Sequence, residues 1–263
     1  MHYLIEEIME DCKDIAVQAG KAIMDVYNQV GEIQVNYKQD NSPLTEADRL
    51  SNKIIVTALK RKYKKYAILC EEEADDSSRL YNDYCFIIDP LDGTKEFIKR
   101  NGQFTVNIGL SYKHDVILGV IYAPYVDELY YAGKGKGAYL QKSNAKTQRI
   151  HASDITSSDE LRIVMSNSHN CLEMESLLKK HCFKEKISIG SSLKGCLIAR
   201  GDAELYYRYN PTMEWDTAAM QCIVEEAGAV FRQMDGSEMK YNRRNCRNDK
   251  GFYIVNRIEN IIN

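Results

Sequence analysis

The sequence predicts an α+β protein in which a helix-backed antiparallel sheet forms the N-terminal part and a mixed α/β arrangement the C-terminal part. Three observations carry this. Apolar residues recur at three- and four-residue intervals over Leu4 to Tyr27 and again from about Thr45 to Tyr63, which marks two long amphipathic helices. From Thr105 to Leu140 short strand-like runs are separated only by turn residues, as in an antiparallel meander. Beyond the Ser-, Asp- and Thr-rich stretch His151 to Asp159, strands and helices alternate. The 263 residues allow one domain or two. The expected division is residues 1–155, an α+β unit, and residues 156–263, an α/β unit.

The first helix sets Ile5, Ile8, Cys12, Ile15, Ala19 and Ile23 on one face and Glu6, Glu7, Glu10, Asp11 and Asp14 on the other. Its acidic face argues against direct lipid binding, although peripheral association with the inner membrane is compatible with it. Residues 32–37 alternate as a strand, and Lys38 to Pro43 reads as a polar loop. The second helix has Leu50, Ile54, Ile55, Ala58 and Leu59 as its expected apolar face. Strands follow at Ala67–Cys70, Cys85–Ile88, Thr105–Tyr112, Val116–Tyr122, Glu128–Tyr131 and Ala138–Leu140. Gly133 to Gly137 alternates Gly and Lys like a phosphate loop, but it lacks the spacing and the following helix, so it reads as a hairpin turn. In the second half the expected elements are strands at 161–166, 186–189, 203–207, near Val230 and at 252–255, with helices at 172–180, 193–200 and 217–227.

A net charge of −3 gives no general attraction to nucleic acid or an anionic membrane. No apolar run reaches membrane-spanning length and no signal-peptide pattern stands at the N-terminus, so a cytoplasmic protein is expected. The eight cysteines form no C-x-x-C pair and the five histidines no H-E-x-x-H, which leaves a disulfide framework, a zinc ribbon and a zinc hydrolase without support.

Chemistry concentrates between Tyr84 and Arg100. The apolar run Cys85 to Ile88 leads into Asp89-Pro90-Leu91-Asp92-Gly93-Thr94 and then a helix-compatible segment. This reads as a strand, a rigid tight turn and a helix start, with Pro90 fixing the backbone and Gly93 leaving room for a close approach. Asp89, Asp92 and the Leu91 carbonyl offer the hard oxygens Mg²⁺ prefers, and the N–H groups of Gly93 and Thr94 suit a phosphate oxygen. The plain alternative is a turn with Asp92 as a helix cap. Glu71, after strand Ala67–Cys70, repeats the pattern of a strand delivering a carboxylate. Thr45 with Asp48 resembles a capping box, and Asp216 at the start of a helix has the same plain reading.

Taken together, Glu71, Asp89 to Thr94 and Trp215-Asp216-Thr217-Ala218-Ala219 resemble the signature of the lithium-sensitive, Mg²⁺-dependent phosphomonoesterases that include inositol monophosphatase and fructose-1,6-bisphosphatase. Lys38 to Asp48, Asp89 to Asn107, Gly119 to Pro124 and Ser188 to Lys194 are similar to the 3′(2′),5′-bisphosphate nucleotidases of the bacterial CysQ type. Inositol monophosphatases usually carry Thr-Asn-Phe where this chain has Lys95-Glu96-Phe97. The resemblance covers about Leu4 to Val255 and implies a layered αβαβα sandwich with the active site between its halves.

It further implies two or three Mg²⁺ on Glu71, Asp89, the Leu91 carbonyl, Asp92 and Asp216, a water-activating pair Asp48 and Thr94, and a catalytic set of Asp48, Thr94 and Glu71. Substrate contacts fall on Gly93, Thr94, Ser192, Lys194, Arg208 and, less directly, His169. The implied substrate is the phosphonucleotide adenosine 3′,5′-bisphosphate (PAP), with its 5′-phosphosulfate relative (PAPS) second. Glu73 and Glu214 receive no role. An inositol or sugar phosphatase and a catalytically silent phosphonucleotide sensor remain rival readings. The oligomeric state is not legible.

Overall fold

The computed structural model describes residues 2–30, 33–38, 42–143, 145–167 and 171–262. In the first half the elements are α1 (His2–Tyr27), β1 (Val35–Tyr37), β2 (Pro43–Thr45), α2 (Glu46–Lys62), β3 (Ala67–Cys70), β4 (Tyr84–Asp92), α3 (Thr94–Ile98), β5 (Thr105–Tyr112), β6 (Asp115–Ala123), β7 (Glu128–Gly133), β8 (Gly137–Lys142) and β9 (Gln148–Ile150). Strands β3 to β9 form a seven-stranded sheet in sequence order, antiparallel except for the parallel pair β3–β4. The second half contributes β10 (Arg162–Met165), α4 (Leu172–Lys180), β11 (Glu185–Ser188), α5 (Leu193–Ala199), β12 (Leu205–Arg208), β13 (Thr212–Met213), α6 (Glu214–Glu226), β14 (Val230–Gln233), β15 (Arg247–Asn248) and β16 (Phe252–Val255). Its five-stranded sheet has the order β11-β10-β12-β16-β14, parallel on one side and antiparallel on the other.

The layers follow from which side chains share a core. Ile8, Ile23, Ile55 and Leu59 of α1 and α2 pack with Phe86, Ile88 and Ile108 on one face of the first sheet. Cys85 and Ile87 point the other way and join Ala218, Ala219 and Ile223 of α6, together with Cys196 and Ile198 of α5. Both faces of β4 are therefore covered, which is why its sequence is a continuous apolar run. On the far side of the second sheet, Met174 and Leu177 of α4 pack with Ile163 and Leu205. The result is an αβαβα stack.

Several expectations shift by physical necessity. α2 is rotated relative to its predicted face: Leu50 is exposed, whereas Asp48 and Ser51 are buried with Ala47, Ile55 and Leu59. Two polar residues were thus hidden inside the helical period. Of the predicted strand at 32–37, only residues 35–37 form a strand among the described residues, β1, which pairs with β2 in a two-stranded ribbon. β9 and the ribbon β13–β15 had no sequence signal, being two or three residues long. Gly133 to Gly137 does form the β7–β8 hairpin, and the N–H groups of Gly135 and Gly137 each donate to the Glu226 carboxylate at 2.7 Å.

Helix α6 lies unusually close to the first sheet because two residues beneath it lack side chains. A Cβ on Gly119 would stand 2.3 Å from the Ala219 carbonyl oxygen, and one on Gly109 would stand 2.9 Å from the Ala218 Cβ. Gly119→Ala is accordingly expected to cost about 2 kcal/mol or more, since the obstacle is backbone and not a flexible side chain. Urea unfolding checks this; a loss under about 0.5 kcal/mol would mean the helix is free to retreat.

Candidate active site

β3 and β4 run side by side with Cys70 next to Ile88, and the Glu71 N–H donates to the Ile88 carbonyl at 3.1 Å. Where the pairing of the two strands ends, Glu71 and Asp89 stand side by side. β4 does not turn at Pro90, as the sequence suggested; it continues to Asp92 with a register shift against β5 between Asp89 and Asp92. A proline has no N–H for the ladder, and an irregular strand end tolerates that. The shift matters because residues three apart on a regular strand face opposite sides. Here Asp89 and Asp92 converge. The Pro90 carbonyl accepts from Ser51 Oγ at 2.6 Å and the Leu91 N–H donates to Asp89 Oδ1 at 3.0 Å, so the irregular backbone is satisfied.

Asp216, in the first turn of α6, completes the group: one oxygen from each of Asp89, Asp92 and Asp216 lies within 4.8 Å of the others. Its carboxylate also accepts the Met213 N–H at 2.7 Å, so the capping reading and the cluster are both true. Asp92 Oδ2 is held by Ser192 Oγ at 2.6 Å and Asn107 Nδ2 at 3.2 Å, and Asn107 is oriented by Thr105 Oγ1 at 2.9 Å. Asp48 divides its oxygens. Oδ2 accepts from the Thr45 N–H at 2.7 Å and Thr45 Oγ1 at 2.5 Å, while Oδ1 faces Thr94 Oγ1 at 3.0 Å. The Leu91 carbonyl is 3.3 Å from the same Thr94 hydroxyl. Gly93 is required twice, by its φ of +95° and because a Cβ would meet the Gln103 carbonyl at 2.9 Å.

Glu71 stands beside the three aspartates and not among them. Lys38 Nζ binds its Oε1 at 2.7 Å and Glu72 Oε1 at 2.6 Å, a pairing the sequence reading did not contain. Lys194 and Arg208, on elements of the second sheet's half, line the same cavity of about 240 Å³ as Glu71, Asp92 and Asp216. Lys194 is buried; its Nζ donates to the Ser191 carbonyl at 2.6 Å and approaches that of Ile189 at 3.4 Å. The Arg208 Nε is buried without a hydrogen-bond partner among the described residues. Ser192, implied as a nucleotide contact, is 2% exposed and spends its hydroxyl on Asp92. His169 lies outside the described residues.

Glu214 is fully buried and accepts the N–H groups of Asn242 at 2.6 Å and Arg243 at 3.0 Å, anchoring that loop to α6. Glu73 is a surface contact to Asn52 and Lys60. Trp215 packs at the edge of the core between the sheets. Asn107, Ser51 and Lys38 were missed as site residues. For the first two a signal existed, a polar side chain in an otherwise apolar strand or helix face.

Burial, followed by the charges of Glu71, Asp92 and Asp216, pushes Asp89 well above the usual carboxylate range. Burial and then Asp92 push Asp216 up to about 8. Burial likewise raises Asp48 against its hydrogen bonds from Thr45 and Thr94, and raises Glu71 against the attraction of Lys38. Lys194 is pushed down to about 8 by burial. Convergent, oxygen-only donors that crowd like charge together fit a hard divalent cation such as Mg²⁺.

The fold and this acidic site define a class. A sequence model of the inositol monophosphatase family matches residues 5–257, and the chain belongs to that family. Among individual proteins it is similar to the 3′(2′),5′-bisphosphate nucleotidase CysQ of Salmonella typhimurium, 38% identical over 250 residues that cover 94% of this chain and 99% of that one. The protein of the same name from Buchnera aphidicola is 39% identical over 94% of this chain and 93% of its own length. Of solved structures, CysQ from Bacteroides thetaiotaomicron superposes with a TM-score of 0.82 at 37% identity, covering 95% of this chain and 98% of that one. Bartonella henselae suhB gives a TM-score of 0.79 at 26% identity, with 95% of this chain and 93% of that one covered.

Because Asp89 and Asp216 are raised in the folded state, the metal-free protein binds more protons folded than unfolded between about pH 4 and about pH 8, and this contribution to stability is lost as pH rises through that window. Asp216→Asn carries no such charge. In EDTA its melting temperature should gain on the parent's by several degrees between about pH 5 and about pH 8, and saturating Mg²⁺ should reverse the order. A melting-temperature difference that ignores pH would contradict the repulsion account.

Proposed function

We propose that this protein is a cytoplasmic Mg²⁺-dependent phosphomonoesterase that removes the 3′-phosphate of adenosine 3′,5′-bisphosphate, giving AMP and phosphate, with the 5′-phosphosulfate analogue as a second substrate. The observation that carries this reading is one cavity lined both by carboxylates, Glu71, Asp92 and Asp216, and by the cations Lys194 and Arg208. An acidic end alone suits any phosphate ester with a metal. The cationic end suits a substrate with a second phosphate. The relatives named above, with their full-length coverage, support the same substrate class.

Glu71, Asp89, the Leu91 carbonyl, Asp92 and Asp216 would hold two or three Mg²⁺, with Glu71 exchanging its Lys38 partner for metal. When bound, the ions supply Lewis-acid neutralisation of the transferring phosphoryl group and its leaving oxygen. The chain's own residues do the rest. Thr94 has a single hydroxyl proton to give, and Asp48 Oδ1 is placed to take it, so the Thr94 lone pairs are aimed at an attacking water. Asp48 Oδ2 is already occupied by Thr45, which leaves only one oxygen for this work. Burial raises Asp48 and makes it the stronger base. The Gly93 and Thr94 N–H groups orient the phosphate, and Lys194 and Arg208 hold the far end of the nucleotide. Residues 1–155 thereby supply most of the metal site, and residues 156–263 close it with Asp216 and bind the nucleotide.

Phosphate release with Mg²⁺, measured side by side on adenosine 3′,5′-bisphosphate and inositol 1-phosphate, tests the reading. Strong preference for the nucleotide, abolished in Asp92→Asn, is expected; preference for the inositol ester would keep the metal site and overturn the substrate. Inactivity on both would favour the sensor. Thr94→Ala should lower kcat by about 10²- to 10⁴-fold with KM little changed. Lys194→Ala should raise KM for the bisphosphate by about tenfold or more and spare small esters; equal losses on both would remove Lys194 from substrate binding.

A further inference from the structure

Gln103 lies between α3 and β5, on the first sheet's side of the cavity. Its Oε1 accepts two hydrogen bonds from the other side, from Asn167 Nδ2 at 2.6 Å and from the Gly190 N–H at 2.8 Å. Asn167 follows β10 and Gly190 follows β11, so one oxygen ties both loops of the second sheet to the first. Asn101 Oδ1 holds the Gln103 N–H at 3.0 Å and fixes the turn from which the side chain reaches across. The Gln103 carbonyl is also wedged between the two walls. A Cβ on Gly93 or on Gly190 would stand 2.9 Å from it, and one on Gly190 would stand 2.7 Å from Glu96 Cγ. No slack is left between Gly93, Gln103 and Gly190.

The pinned loop is the one that positions Lys194. Its Nζ rests on the carbonyls of Ser191 and Ile189, the two neighbours of Gly190, and Ser191 adopts a left-handed φ of +51° to present its carbonyl. The acidic cluster has supports of its own: Asp216 sits on α6, whose seat on the first sheet is set by Gly109 and Gly119, and Asp92 is held by Asn107 of β5 as well as by Ser192, the residue after the loop. The two hydrogen bonds of the clasp therefore end on Asn167 and Gly190, on the Lys194 side of the cavity, and on none of the clustered carboxylates.

We propose that Gln103 is a positioning residue for substrate selection: by clasping the 189–191 loop it sets the reach from Thr94 to the Lys194 ammonium, and so favours a nucleoside bisphosphate spanning both walls over a small ester bound at one. This rests on the function proposed above. Because both bonds use Gln103 only as an acceptor, a carboxylate can replace the amide oxygen and an aliphatic side chain cannot.

The test measures kcat and KM of the full chain with Mg²⁺ on adenosine 3′,5′-bisphosphate and p-nitrophenyl phosphate. Gln103→Leu should raise KM for the bisphosphate about tenfold, with kcat within about twofold and both constants for the small ester unchanged. Gln103→Glu should stay near the parent, and Asn167→Ala, which removes one donor, should fall between. Equal losses on both substrates, an unchanged KM ratio, or a Gln103→Glu enzyme as impaired as Gln103→Leu would overturn the clasp while the parent's preference for the nucleotide stands. A parent enzyme without that preference would overturn the functional reading and the clasp's role with it.

Discussion

Three carboxylates of like charge, Asp89, Asp92 and Asp216, are brought to one point at the edge of a cavity, although burial and repulsion oppose the ionisation of Asp89 and Asp216. Much of the surrounding structure answers that constraint. The register shift at the end of β4 turns two aspartates to one side, and hydrogen bonds from Ser192 and Asn107 hold one of them. The third arrives on a helix that can come close only because Gly109 and Gly119 have no side chains. A fold that gathers charge in this way stores a preference for a compensating cation.

Capping interactions have a second use here. Asp48 and Asp216 both close back on the backbone at the start of a helix, which fixes their side chains in one rotamer before any ligand is present. In each case one carboxylate does local structural work and faces the site as well. Ordering these groups during folding removes the entropy cost from the moment of binding. Lys38 acts in the same spirit at Glu71, as a cation of the chain's own beside a carboxylate that would otherwise be buried unpaired.

The second sheet contributes reach. Lys194 is drawn down by burial to about 8 and steadied by two carbonyls, and Arg208 keeps a buried Nε with no partner among the described residues. Such groups are costly to bury without an anion to meet, and both line the same cavity as the aspartates. Glu214 belongs to the frame: its buried carboxylate ties the Asn242–Arg243 turn to α6, and Asn242 in turn binds Arg79.

Periodicity and local chemistry were enough to read α1, α4, β5, the hairpin at Gly133 to Gly137 and the alternation beyond residue 159, because each depends on residues near one another in sequence. The same holds for the strand-borne carboxylates Glu71 and Asp89, which follow the last paired residues of two neighbouring strands. Sequence could not show that β4 runs on through Pro90, that α2 turns Asp48 and Ser51 inward, that Ser192 serves Asp92, or that Gln103 bridges the two sheets. Each of these is settled by a partner between 39 and 100 residues away or by a sheet neighbour's register. Local pattern records which residues are apolar, polar or charged. Which polar group is buried, and against what, is fixed only when two sheets and the helix between them close around it.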